Sequence, residues 1–164
     1  MTKKRWICLF VENEIGVLAR ISGLFSGKSY NIDSLTVGVT EDKSISRMTI
    51  GLTSDDRTFE QIKKFLNRSV EVIKVVDYTE MDIHIKELMF VKISHCSDRD
   101  IEEIFRMAQV FPVTVMDYNQ ENVLIESVQT EDDNNRFIAL LEKCYSNRME
   151  IVRGGNVAVE ALNG

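Results

Sequence analysis

An α+β fold of two tandem β-α-β-β-α-β units is what the sequence predicts, and three observations carry it. Short extended apolar runs and longer stretches with helical spacing follow one another in the same order twice along 164 residues. The composition is that of a packed protein rather than a disordered one, 44% hydrophobic and 28% charged with a single proline, Pro112. Charge divides the chain. Residues 1–82 hold 12 basic and 12 acidic side chains and residues 83–164 hold 8 and 14, so the whole net charge of −6 sits in the second half.

In the first half, Arg5 to Glu12 is a short apolar run that reads as a central strand. Gly16 to Lys28 follows as a helix, with Val17, Leu18, Ile21, Leu24 and Phe25 on one face. Tyr30 to Val39 reads as extended. Its apolar phase slips from even (Tyr30, Ile32) to odd (Leu35, Val37, Val39), which marks a bulge or a start outside the strand. A turn over Glu41 to Ser44 leads into a second strand, Ile45 to Thr53, where Met48, Ile50 and Leu52 alternate with Thr49, Gly51 and Thr53. Thr58-Phe59-Glu60-Gln61 reads as a capping box opening a helix with Phe59, Ile62, Leu66 and Val70 in register. Glu71 to Asp77 is the last strand of the unit.

The second half repeats that order. Leu88 to Ser94 reads as a strand and Asp98 to Val110 as a helix. Val113 to Asp117 and Val123 to Val128 read as strands, and Asp132 to Tyr145 as a helix with Phe137, Leu140, Leu141 and Cys144 on one side. Met149 to Leu162 holds one or two strands broken at Gly154-Gly155. The repeat is one of pattern, not of residues, and the pattern is the split β-α-β, ferredoxin-like unit. The expected domains are residues 1–79 and 87–164, joined by a linker over 80–86. The first strand is apolar on both faces, with Ile7, Leu9 and Val11 on one and Trp6, Cys8 and Phe10 on the other. One face meets the helices; the other calls for a second sheet or a second subunit, so a symmetric dimer is expected.

Several function classes fall away. Neither half is basic, so nucleic acid is a poor partner. The longest stretch free of Asp, Glu, Lys and Arg is Met107 to Met116, too short to cross a membrane. The apolar run after the basic start ends at Glu12, too short for a secretory signal. Cys8, Cys96 and Cys144 are odd in number and far apart, which argues for neither a disulfide framework nor a metal site. The expected compartment is the cytoplasm. No catalytic constellation stands out. His84 falls in the linker, and His95 and Cys96 are neighbours at a strand end, where adjacent side chains diverge. Glu131-Asp132-Asp133 sits where a helix begins and suits its N-terminus rather than a metal. There is no phosphate-binding loop or dinucleotide fingerprint, and Gly154-Gly155 reads as a kink or bulge.

Two segments are candidate ligand-binding elements. Glu12 to Leu18 runs from the first strand into the first helix. Asn13 can bond its own loop backbone, Gly16 lets a ligand approach the backbone closely, and the first-turn N–H groups suit a small carboxylate. A plain strand-to-helix turn that needs a glycine is the better reading of this turn taken alone. In Tyr30 to Leu35, Asn31 offers donors and an acceptor to an amino-acid ligand, against the alternative of an ordinary turn asparagine.

Taken together, the runs Val11 to Ile21, Gly23-Leu24-Phe25, Tyr30 to Val37, Ser46 to Ile50 and Val72 to Val75 resemble the regulatory small subunits of acetolactate synthase. Glu87-Leu88 and Val91-Lys92-Ile93 continue the likeness past the linker. The resemblance implies an N-terminal ACT domain, a C-terminal ferredoxin-like domain and no catalysis by this chain. It implies a catalytic partner subunit that carries thiamine diphosphate, Mg²⁺ and usually FAD, with no cofactor in this chain. It further implies activation of that partner and feedback inhibition by valine or another branched-chain amino acid, bound between the ACT domains of a homodimer. By motif position, Asn13, Gly16, Val17 and Leu18 would meet the effector's carboxylate side, and Asn31 and Ile32 would come from the partner-facing segment. Val17, Leu18 and Ile32 would offer a small apolar pocket. Ile15 and Ser29 depart from the family pattern, and the likeness weakens after Ile93. A stand-alone amino-acid-binding ACT module with no catalytic partner is the alternative.

Overall fold

The computed structural model of the chain describes residues 1–28 and 30–163. They form two four-stranded antiparallel sheets with two helices each, the β-α-β-β-α-β order occurring twice. Two compact units result, one of Met1–His84 with Asn156–Gly164 and one of Ile85–Gly155. Residues 156–164, placed in the second domain by sequence, thus group with the first unit.

In the first unit, β1 (Lys3–Glu12), α1 (Val17–Gly27), β2 (Ser34–Val39), β3 (Ile45–Ser54), α2 (Asp56–Asn67) and β4 (Val72–Asp77) build a sheet of order β2-β3-β1-β4. Ile7, Leu9 and Val11 of β1 join Met48, Ile50 and Leu52 of β3 on the helix-covered face. Val17, Ile21 and Phe25 recur every four residues along α1 and bury against that face, as do Phe59, Ile62 and Leu66 of α2. The opposite face carries Trp6, Cys8 and Phe10, and part of it is covered by the chain's own end. Asn156 donates its backbone N–H to Ser34 Oγ at 3.0 Å and accepts from Thr36 Oγ1 at 2.6 Å, and Ala158 O accepts from Arg47 at 3.0 Å. Gly51 lies under the Trp6 ring on this face: a Cβ there would come within 2.4 Å of the ring.

Three sequence expectations change here. The α2 cap is Asp55, whose carboxylate accepts from Thr58 N at 2.7 Å, so the helix opens before the Thr58 box. A carboxylate three residues upstream of Thr58 reaches the same orphan N–H. Val70 is not on the helix, which ends at Asn67; it lies in the following turn and is exposed. Tyr30 to Asp33 is not strand: β2 starts at Ser34, and the phase slip marked that start.

The second sheet and its helices are β5 (Ile83–Ile93), α3 (Asp98–Val110), β6 (Val113–Tyr118), β7 (Val123–Gln129), α4 (Glu131–Tyr145) and β8 (Met149–Glu160), in the strand order β6-β7-β5-β8. The strand β5 begins inside the segment read as linker. Its polar residues alternate with Ile83 and Ile85, and its buried carboxylate Glu87 is neutralised by Arg153, which the sequence alone could not pair. Around Glu87 lies a buried polar network. Asn134 donates to Glu87 at 3.0 Å and accepts from Ser127 at 2.7 Å, and Gln129 donates to Ser127 at 2.7 Å. Low dielectric makes such a network costly unless every member is paired, which these are. Ser97 caps α3 in a reciprocal box with Asp100, and Thr130 caps α4, placing Glu131, Asp132 and Asp133 in its first turn as expected. The strand β8 runs through Gly154-Gly155 unbroken, with Gly155 at φ +86° as at a bulge.

Candidate functional site

The loop from β1 to α1 is held by the β2–β3 turn. Asn13 donates Nδ2 to Lys43 O at 2.9 Å, accepts from Ser46 Oγ at 3.0 Å, and its backbone N–H bonds Ser44 O at 2.8 Å. Both ends of the Asn13 amide are therefore engaged in shaping the loop. Gly16 caps α1 in the left-handed region at φ +84°, which an L side chain would adopt only at a cost. It supplies no side-chain cap, and the first turn of α1 carries no acidic residue. The other three helices are each capped by a side-chain oxygen. The positive end of α1 is thus left open to an anion.

Around this end, Ile15 is fully exposed, Leu18 is 46% exposed, and Val17 is committed to the core. The Val17 N–H is also taken, by Glu14 O at 3.3 Å. Sequence reasoning missed Arg20. A Cβ on Gly16 would lie 3.1 Å from an Arg20 terminal nitrogen, and Arg20 Nε pairs with Glu71 at 2.6 Å. The signal was its i+4 spacing from Gly16, which puts both on one side of the helix.

Asn31 is exposed and Ile32 half-buried, packed on the core. The adjacent Asp33 fixes the segment: its N–H bonds Gly51 O at 2.8 Å, and its carboxylate accepts from Thr53 at 2.9 Å and Lys4 at 3.2 Å. Strand β3 measures the gap to the loop. Asn13 is held at Ser46 and Asp33 at Gly51, five residues further along β3, which is about 17 Å at the usual strand rise. The two candidate segments lie at opposite ends of one sheet, and a single chain does not bring them together. Ser29, the other departure from pattern, lies outside the described residues.

No catalytic grouping is assembled by the histidines. His95 is exposed with φ +54°, while Cys96 beside it is buried, and burial pushes the Cys96 thiol up. Among the described residues no group of three or more His, Cys, Asp or Glu is placed to hold a metal, and no helix is long and apolar enough to cross a membrane.

Comparison with known proteins agrees with this architecture. Residues 7–74 match the family of AHAS small subunit-like ACT domains, and residues 86–161 match the family described as the small subunit of acetolactate synthase. The chain is 40% identical over 157 residues to the acetolactate synthase small subunit of Aquifex aeolicus, covering 96% of this chain and 81% of that one. It is 38% identical over 157 residues to the acetolactate synthase small subunit of Haemophilus influenzae, covering 95% and 94%. The crystal structure of the acetolactate synthase small subunit from Thermotoga maritima superposes with a TM-score of 0.87 at 31% identity, covering 99% of each chain.

Proposed function

Because this chain belongs to the acetolactate synthase small-subunit family, we propose that it is the non-catalytic regulatory subunit of that enzyme, activating a catalytic subunit and making it sensitive to a branched-chain amino acid. Valine is the effector to test first. The effector's carboxylate meets the open N-terminus of α1 at Gly16 and Leu18, with Asn13 holding the loop and Arg20 adding positive charge. Leu18 flanks the aliphatic side chain, and Val17, buried in the core with its N–H on Glu14 O at 3.3 Å, fixes the start of the helix. Asn31 and Ile32 come from a second copy. The observation that carries this reading is the separation of about 17 Å between the two segments. A ligand the size of an amino acid cannot span it within one chain, whereas an isologous dimer presents the loop of one copy to the Asn31 segment of the other. Thiamine diphosphate, Mg²⁺ and FAD belong to the catalytic partner, in the cytoplasm.

Regulation then follows from linkage. Valine stabilises one pairing of the ACT domains, and the catalytic subunit prefers another. The two bindings are thereby coupled, typically by about 1–3 kcal/mol. The test mixes the purified chain with the catalytic subunit of its own organism and measures acetolactate formation with and without valine. Activation that valine reverses is the expected result. No activation at any ratio, with no complex on a sizing column, would leave a stand-alone amino-acid-binding module instead.

A further inference from the structure

The C-terminal ends of α1 and α2 meet at a cavity of about 410 Å³ in the first unit. Its size falls in the range of about 300–1,000 Å³ common for small-molecule sites. Lys28, the C-cap of α1, and Tyr30 line one side. Gln61, Lys64, Phe65 and Arg68 line the other. Their i, i+3, i+4, i+7 spacing puts these four on one stripe of α2 and its cap. The Lys28 ammonium lies over the Phe65 ring, 5.5 Å from its centroid, and so joins the two sides. The cavity stands at the far end of α1 from Gly16, 11 helical residues away, or about 16 Å along the axis.

The lining is cationic and rich in donors. Lys28, Lys64 and Arg68 are exposed, and none of them makes an ion pair among the described residues. Among the described residues no acidic side chain lines the cavity. Basic residues at a helix C-terminus ordinarily offset the negative end of its dipole, which carries about half a unit charge. The ends of α1 and α2 together therefore offset about one of the three positive charges and leave about two uncompensated. Lys64 and Arg68, one helical turn apart, also repel each other. The Tyr30 hydroxyl and the Gln61 amide make no hydrogen bond among the described residues. Two ammonium groups, a guanidinium fork, a phenol and an amide thus surround one space with few acceptors to answer them.

We propose that this cavity binds a small polyanion of the diphosphate class within a single chain. The ligand's oxygens meet the ammonium groups of Lys28 and Lys64 and the fork of Arg68, while Tyr30 and Gln61 donate to those that remain. Two or more negative charges balance the excess. A monocarboxylate balances only part of it, and an amino acid brings a further ammonium among cations. A dicarboxylate matches the charge but offers fewer oxygens than a diphosphate to a lining made almost wholly of donors. The proposal does not depend on the regulatory reading above.

The test is an NMR titration of the full, ¹⁵N-labelled chain with inorganic pyrophosphate, at an ionic strength held constant with sodium chloride, beside malonate as a dicarboxylate. Pyrophosphate is expected to shift the backbone signals of Lys28, Tyr30, Lys64 and Arg68 saturably. Lys64→Gln and Arg68→Gln should each weaken that binding by about tenfold, the lower end for a lost hydrogen bond to a charged group. Both side chains are exposed, so these variants separate binding from folding. Lys143→Gln makes the same charge change at an exposed position of α4 and should leave the affinity unchanged. An equal loss in Lys143→Gln overturns the site, because attraction to the whole chain's charge then explains the binding. Equal affinity for malonate overturns the diphosphate assignment. The absence of saturable shifts at about 10 mM pyrophosphate, well above millimolar affinity, overturns the site. Shifts confined to Gly16 and Leu18 also overturn it, and leave the proposed function standing. Methyl diphosphate, compared with pyrophosphate, distinguishes a diphosphate ester from the free anion as the source, and either order of affinity supports the site. Saturable shifts at the four residues in a chain that activates no catalytic subunit support it and fail the proposed function alone.

Discussion

If the effector site needs the Asn13 loop of one copy and the Asn31 segment of another, two defective chains should repair each other. The perturbation is a pair of variants, Asn13→Ala and Asn31→Ala. Within a chain the two segments are anchored at Ser46 and Gly51 of β3, about 17 Å apart. Each homodimer of a variant then has both of its sites damaged. Asn31→Ala loses a hydrogen bond to a charged ligand, worth about 1.5–3 kcal/mol, and Asn13→Ala releases the loop that carries Gly16, so valine affinity should fall by roughly tenfold to a hundredfold in each homodimer. In a mixed dimer the geometry is different. One site combines the intact Asn13 of one copy with the intact Asn31 of the other, and the second site carries both defects. Co-expression under two different tags, followed by purification through both, isolates the mixed dimer. Calorimetric titration with valine should find wild-type affinity at about half the wild-type number of sites, as two-fold symmetry requires. Sedimentation confirms that each variant is still a dimer. Mixed dimers that bind no better than their parents, or a variant homodimer that binds valine normally, would refute the two-chain site.

Other outcomes follow from the packing. Arg153→Met leaves the buried Glu87 carboxylate without its cation, and because the Arg153 side chain is 32% exposed the cost lies near the lower end for a broken buried pair, about 3 kcal/mol in urea unfolding. Adding Glu87→Gln to it should recover most of that loss, since no charge then remains buried; strictly additive effects would contradict this. Gly51→Ala drives a Cβ into the Trp6 ring and should cost about 1–3 kcal/mol as overpacking. Trp6 is the only tryptophan, so its fluorescence reads the displacement directly, and an unchanged spectrum and melting temperature would refute the contact. Asp100 is held below its ordinary value of 3.8 by the Ser97 N–H and by Arg148. A depressed carboxylate contributes stability that is fully present above its unfolded value and lost as pH falls through the folded one. Asp100→Asn should therefore lower the melting temperature at neutral pH and flatten its decline below about pH 4; parallel wild-type and variant curves would be the contrary result.

Much of the architecture was legible because side-chain periodicity encodes local structure. The alternation of Met48, Ile50 and Leu52 and the four-residue recurrence of Val17, Ile21 and Phe25 are consequences of strand and helix geometry, and these faces are buried as their spacing implies. The phase slip after Ile32 marked the point where β2 begins, although it could not distinguish a late start from a bulge. Misreadings came from residues with more than one suitable neighbour. Thr58 looked like a cap because Gln61 lies three residues downstream, but Asp55, three residues upstream, takes the Thr58 N–H that such a box would have used. Residues 83–86 looked like linker because charge suggests solvent, and the pairing of the adjoining Glu87 with Arg153, 66 positions away, is invisible to any local window.

The candidate site divides along the same line. Asn13, Gly16 and Asn31 could be named from order and residue type alone, since backbone freedom and amide chemistry are properties of the residues themselves. Which faces and ends of the sheet they occupy is a matter of strand order. The order β2-β3-β1-β4 makes β1 and β2 parallel, so the loop after β1 and the segment before β2 fall at opposite ends. Strand order is set by long-range pairing and core packing, and neither leaves a periodic trace in the chain. The same holds for Lys28, Lys64 and Arg68, which read in sequence as basic residues near the ends of two helices. Only the packing that lays Lys28 over the Phe65 ring brings them to one cavity.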